Sequence, residues 1–97
     1  MNSSDDTLRV QGDEIAEVAH ALRTPSRIRI IRLLQKSGPL MITNIASKLN
    51  MTEANASAQV KILEKVGIIT ADYEPGEHGL RKLCRVAKNK LVIDLSE

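Results

Sequence analysis

Ninety-seven residues leave room for one domain with a single modest core, and 42% apolar against 27% charged residues exclude a disordered chain. Tyr73 is the only aromatic residue, so the core must be aliphatic, and the aromatic platforms that single-strand binders stack bases on are missing. The net charge of +2 divides unevenly: residues 1–17 set five acids against Arg9, while residues 18–97 set thirteen Lys and Arg against seven acids, a balance that suits a polyanionic partner.

Residues 1–10 read as a flexible lead-in, polar and acidic and unlike a secretory signal. Ile15, Val18, Ala19 and Leu22 then fall at i, i+3, i+4 and i+7, which predicts an amphipathic helix over 11–23. Thr24-Pro25 breaks the chain and restarts it, because threonine caps a helix and proline suits its first turn. That second helix, 25–37, carries Ile28, Ile30, Ile31, Leu33 and Leu34 as a wide apolar face with Arg29, Arg32 and Lys36 opposite, and Ser37-Gly38-Pro39 ends it.

Leu40-Met41 predicts a very short strand. A third helix follows with Ile42, Ile45, Ala46 and Leu49 at helical spacing, starting either at a Thr43 cap or a residue or two away from it. Asn50-Met51 is a tight turn, since asparagine tolerates the left-handed conformation. Thr52 caps a fourth helix running to Val66, with Ala56, Val60 and Leu63 as its buried edge and Gly67 as its terminator. Residues 68–73 have strand composition, 74–79 form a turn-rich tip, and 80–87 return as the partner strand. Leu91–Leu95 reads as either a strand or a helix. The expected architecture is mainly α with a small β-hairpin, as one domain over residues 11–97.

The order of capped helix, tight turn, capped helix, glycine stop and hairpin is that of a winged helix-turn-helix, whose second helix lies in the major groove. Such a helix needs short polar side chains near its N-terminus so that its backbone can approach the bases, and Thr52, Glu53, Asn55, Ala58 and Gln59 supply that face. Asn55 and Gln59, four apart, carry amides that both donate to and accept from base edges. Ser57 and Lys61 are placed for phosphates, as are Arg81 and Lys82 after the glycine-flanked tip.

Leu22-Arg23-Thr24-Pro25-Ser26-Arg27, Ile45-Ala46-Ser47-Lys48-Leu49 and the run from Ser57 to Ile69 match the patterns L-x-x-P-x-R, I-A-x-x-L and S-x-x-L-x-x-L-x-x-x-G-L-[VI], allowing Val60 and Ile68 for leucine. Over residues 20–86 the chain resembles the ArsR-type winged helix-turn-helix family of transcriptional regulators. The resemblance implies recognition by helix 52–66, backbone contacts from wing 74–82, and a dimer. It departs from the metal-sensing members: residues 42–49 hold no Cys or His, and His20, His78 and Cys84 are scattered, so no metal and no cofactor are expected. Ala58 stands where many relatives carry a longer polar side chain.

A single recognition helix covers one half-site, and Ile15, Val18, Ala19 and Leu22 with Leu91, Ile93 and Leu95 exceed the needs of a minimal winged domain; these ends are the expected homodimer interface. The reading is a cytoplasmic, sequence-specific double-stranded DNA-binding regulator, with no membrane association. Its alternatives are an architectural or partition-type DNA binder of low specificity and a winged-helix protein adaptor. No Ser/His/Asp set, phosphate loop or metal cluster points to an enzyme, and a lone Cys84 fits a core position in a reducing compartment.

Overall fold

The computed structural model describes residues 6–96. Along the chain it places β1 (Thr7–Gln11), α1 (Glu14–Ala21), α2 (Pro25–Ser37), β2 (Leu40–Met41), α3 (Ile42–Leu49), α4 (Glu53–Lys65), β3 (Ile69–Gly76), β4 (Gly79–Val86) and β5 (Lys90–Asp94). The winged helix-turn-helix architecture is present: α3 and α4 form the helix pair, and β3 and β4 form the hairpin, with β2 adding a short third strand in the order β2-β4-β3.

Local chemistry accounts for most of the boundaries. The Thr24 hydroxyl accepts from the Arg27 backbone N–H at 3.4 Å, with proline at the helix start, and Gly38 at φ 84° closes α2. Asn50 sits in the left-handed region at φ 56°, and the Met51 N–H donates to the Ala46 carbonyl at 2.9 Å, so α3 ends on a tight turn and only Asn50, Met51 and Thr52 separate it from α4. The start of α3 departs from the Thr43 cap. Met41 is the N-cap and makes no side-chain cap bond, because β2 runs directly into the helix and the pairing Met41 with Leu83 fixes the entry instead.

Two larger corrections concern the ends. The flexible lead-in expected over 1–10 contains a strand: from Thr7 the chain forms β1, which pairs in parallel with β5 in a register running from Thr7 opposite Lys90 to Gln11 opposite Asp94. Leu8 and Val10 turn onto the core while Arg9 faces solvent, the alternation of a half-buried strand. Residues 1–5 lie outside the described residues. The same pairing makes residues 90–94 a strand, and Gly12 at φ 60° makes the turn from β1 that delays α1 to Glu14.

One aliphatic core joins all these elements. Ile30, Ile45, Val60, Leu63, Ile69 and Cys84 are its largest fully buried side chains. Burial pushes the Cys84 thiol above its ordinary pKa, which leaves it the inert apolar residue expected on the central strand β4. No described helix is long and apolar enough to cross a membrane.

Candidate nucleic-acid interface

Helix α4 has two faces. Ala56, Val60 and Leu63 are buried against the core, and the small Ala56 side chain lets the first turn of α4 lie close to the body of the domain. Thr52, Asn55, Ala58 and Lys61 face solvent, and Ser57 and Gln59 are half-buried at the margin. The Thr52 hydroxyl accepts from the Asn55 backbone N–H at 3.0 Å, so the cap also holds the first turn in place. The fold thus brings Asn55, Ser57, Ala58, Gln59 and Lys61 onto one helix, with Thr52 as its N-cap and Asn55 at its exposed start.

Gln59 is more constrained than the sequence implies. Its Oε1 accepts from Arg27 Nη1 at 2.6 Å, and its Nε2 donates to Asn55 Oδ1 at 3.0 Å. Arg27 is only 5% exposed; its Nε donates to the Ala21 carbonyl at 2.7 Å and its Nη2 to the His20 carbonyl at 3.0 Å. Those carbonyls belong to the last turn of α1, where the helix dipole favours a cation, and the His20 carbonyl also accepts from the Arg23 backbone N–H at 3.2 Å. Sequence reasoning missed this role. The signal was available, because Arg27, Ile30, Ile31 and Leu34 stand at i, i+3, i+4 and i+7, which puts a guanidinium on the apolar stripe of α2.

The wing differs from its expected outline. Gly76 pairs with Gly79, so only Glu77 and His78 turn, and the tip expected over 74–79 is mostly strand. Gly79, which follows the turn, takes φ 109°, a conformation that glycine adopts without the steric cost of a Cβ. A Cβ on Gly76 would lie 2.6 Å from Arg81 Cγ, so glycine leaves the space in which the Arg81 stem reaches Glu74, 2.6 Å away. Neighbouring strand residues face opposite ways: Lys82 points back to α4 and pairs with Glu64 at 2.9 Å. Arg81 remains exposed on the wing, whereas the Lys82 ammonium is directed at the body.

The Glu64 hydrogen bond raises the Lys82 pKa above its ordinary 10.5, outweighing the opposing effect of burial. A raised folded-state value means that the contribution of the pair is complete below pH 10.5 and fades as pH climbs through the folded pKa. Urea titrations above that range should therefore show the wild type converging on Lys82→Met. A gap that persists at high pH would assign the difference to packing of the lysine stem.

The expected dimer residues fall into two groups. Val18 is 2% exposed and packs inside the protomer, so it belongs to the core and offers nothing to a partner. Ala19 is exposed, and Ile15, Leu22 and Leu91 are half-buried. On the terminal segment Ile93 and Leu95 are 43% and 81% exposed, and Val92, which the sequence reading did not single out, joins them. Among the described residues no group of three or more His, Cys, Asp or Glu is gathered to hold a metal ion; His20 ends α1, His78 sits at the wing turn and Cys84 lies in the core.

A family model described as a helix-turn-helix domain matches residues 22–71, from the end of α1 into β3. This chain belongs to the helix-turn-helix domain family. The helix-turn-helix chain is 34% identical over 59 residues to the HTH-type transcriptional regulator NmtR of Mycobacterium tuberculosis, a match covering 61% of this chain and 48% of NmtR, so it spans about half the length of that relative. It is 31% identical over 62 residues to an uncharacterized HTH-type transcriptional regulator of Methanocaldococcus jannaschii, covering 64% of this chain and 70% of that one. Among solved structures it is similar to a homodimeric winged helix-turn-helix DNA-binding domain from Mycobacterium bovis, a possible ArsR-family transcriptional regulator. That superposition has a TM-score of 0.68 at 32% identity and covers 77% of this chain and 65% of the other. The ArsR-type resemblance read from the motifs therefore agrees with the relatives found.

Proposed function

We propose that this helix-turn-helix chain is a sequence-specific double-stranded DNA-binding transcriptional regulator. It acts as a homodimer, with α4 in the major groove and the β3–β4 wing along the backbone. The observation that carries this reading is the two-faced α4. Its underside is locked into the core, while its outer face offers an amide at Asn55 in the capped first turn, then a methyl at Ala58 and a cation at Lys61. A helix so mounted can enter a groove that admits one helix and distinguishes all four base pairs. Arg81 on the wing suits a flanking phosphate, once it leaves Glu74 for the more strongly charged polyanion.

Dimerisation follows from the reach of one recognition helix, and the exposed apolar residues of the terminal segment with Ala19 of α1 are the surfaces for it. The homodimeric state of the M. bovis neighbour supports the same arrangement. Neither metal nor cofactor enters the proposal, and the site carries no catalytic group.

Selection of bound duplexes from a randomised pool, followed by sequencing, tests the reading. The expected result is a palindromic consensus, lost at one base pair of each half-site in Asn55→Ala, with a cost of about 1–3 kcal/mol there. Binding that is salt-dependent yet yields no consensus would replace this reading with the architectural one. Absence of salt-dependent binding to any duplex would favour a protein partner.

A further inference from the structure

We propose that Gln59 is a positioning residue: together with Arg27 it forms a one-way hydrogen-bond relay that fixes which end of the Asn55 amide faces the DNA. The inference rests on the DNA-reading function above and places the origin of its selectivity at Gln59, half-buried at the margin of α4.

The relay has a direction because its first member can only donate. A guanidinium has five N–H donors and no acceptor, and Arg27 is held in place by the Ala21 and His20 carbonyls at the end of α1. Gln59 must therefore present its Oε1 to Arg27, as it does at 2.6 Å. That choice turns Nε2 toward Asn55, and an amide nitrogen can only donate, so Asn55 must answer with Oδ1, at 3.0 Å. The Asn55 Nδ2, with both hydrogens, is left for an outside partner, on an exposed residue in the first turn of α4.

An isolated asparagine amide can rotate and offer a base either end. Here the rotation is settled before DNA arrives, which lowers the cost of ordering the side chain on binding. Outward donors favour a base edge with acceptors, such as the N7 and O6 of guanine, the N7 of adenine or the O4 of thymine. The second lone pair of Oδ1 stays free to accept from the N6 amino group of adenine. On this view Gln59 touches no base.

The informative variant is Gln59→Glu. It keeps an acceptor for Arg27, and a charged one, but has no N–H to give to Asn55. Asn55 should then turn its Nδ2 inward to the new carboxylate and offer Oδ1 outward, reversing the polarity that the base meets.

The test uses the full chain in two measurements. In duplex selections, Asn55→Ala and Gln59→Ala should each flatten the same base-pair position by about tenfold, and the double variant should flatten it no further. Gln59→Glu should shift the preference there to cytosine, whose major-groove edge presents the N4 amino donor. In the free protein, nitrogen–proton correlation spectra should show the Asn55 side-chain amide signals shifted in Gln59→Glu. Conversion of the flattened position from shared to separate sites would overturn the relay and make Gln59 a base reader. Unmoved Asn55 amide signals, or variants that lower the melting temperature with selection unchanged, would overturn it too. Should the wild type itself prove unselective, the DNA-reading function fails, and the spectra still decide the relay.

Discussion

Replacing Arg27 with Met should lower the unfolding free energy by about 3 kcal/mol, since the Ala21 carbonyl and Gln59 Oε1 lose this donor at a largely buried site and the His20 carbonyl keeps only the Arg23 N–H. The figure is below the sum of three full desolvation penalties because Gln59 is half-exposed and can turn to water. The His20 and Ala21 carbonyls have less freedom, being backbone groups in the last turn of α1. Against a typical domain stability of about 5–15 kcal/mol, this is a large fraction of what holds the fold. Arg27→Lys keeps the charge near the helix terminus but not the planar fork that reaches three acceptors in three directions. Chemical denaturation should thus order the proteins wild type, then Arg27→Lys, then Arg27→Met. A methionine variant as stable as the wild type would mean that water replaces the guanidinium without penalty.

The second large effect concerns Leu63, which is fully buried beneath α4. Leu63→Ala should cost about 2–5 kcal/mol, the lost transfer energy together with that of the cavity left behind. Leu80 is the control: it is 73% exposed on the wing, and Leu80→Ala should stay within about 0.5 kcal/mol of wild type. The two should also separate in binding. A loosened underside lets α4 shift against α3, so Leu63→Ala should weaken duplex binding even where the protein remains folded. Any loss of binding in Leu80→Ala, by contrast, would have to come from contact between the wing and DNA.

How legible these features were depended on the distance over which each is decided. Thr24, Pro25, Asn50, Thr52 and Gly67 act within a few residues of themselves, so caps, turns and the helix-turn-helix could be read from their order. The parallel pairing of Thr7–Gln11 with Lys90–Asp94 has no local signature, because each strand is specified by a partner at the other end of the chain. Leu8 and Val10 alternate over too few positions to stand out from an acidic lead-in. In the site, exposure of Asn55 and Lys61 followed from helical periodicity, whereas the direction of Lys82 needed Glu64 to be placed beside β4. Helical spacing puts Gln59 on the base-reading face beside Asn55, and only the fold reveals its bond to Arg27, thirty-two residues earlier.

The β1–β5 ribbon has a consequence for the order of assembly. Synthesis from the N-terminal side delivers β1 well before β5, so β1 must wait unpaired while the helices and the wing between them are made. The contacts between α3 and α4 and across the β3–β4 hairpin are short-range and can form during that interval. Pairing of β1 with β5 then follows those contacts, once Lys90–Asp94 has left the ribosome.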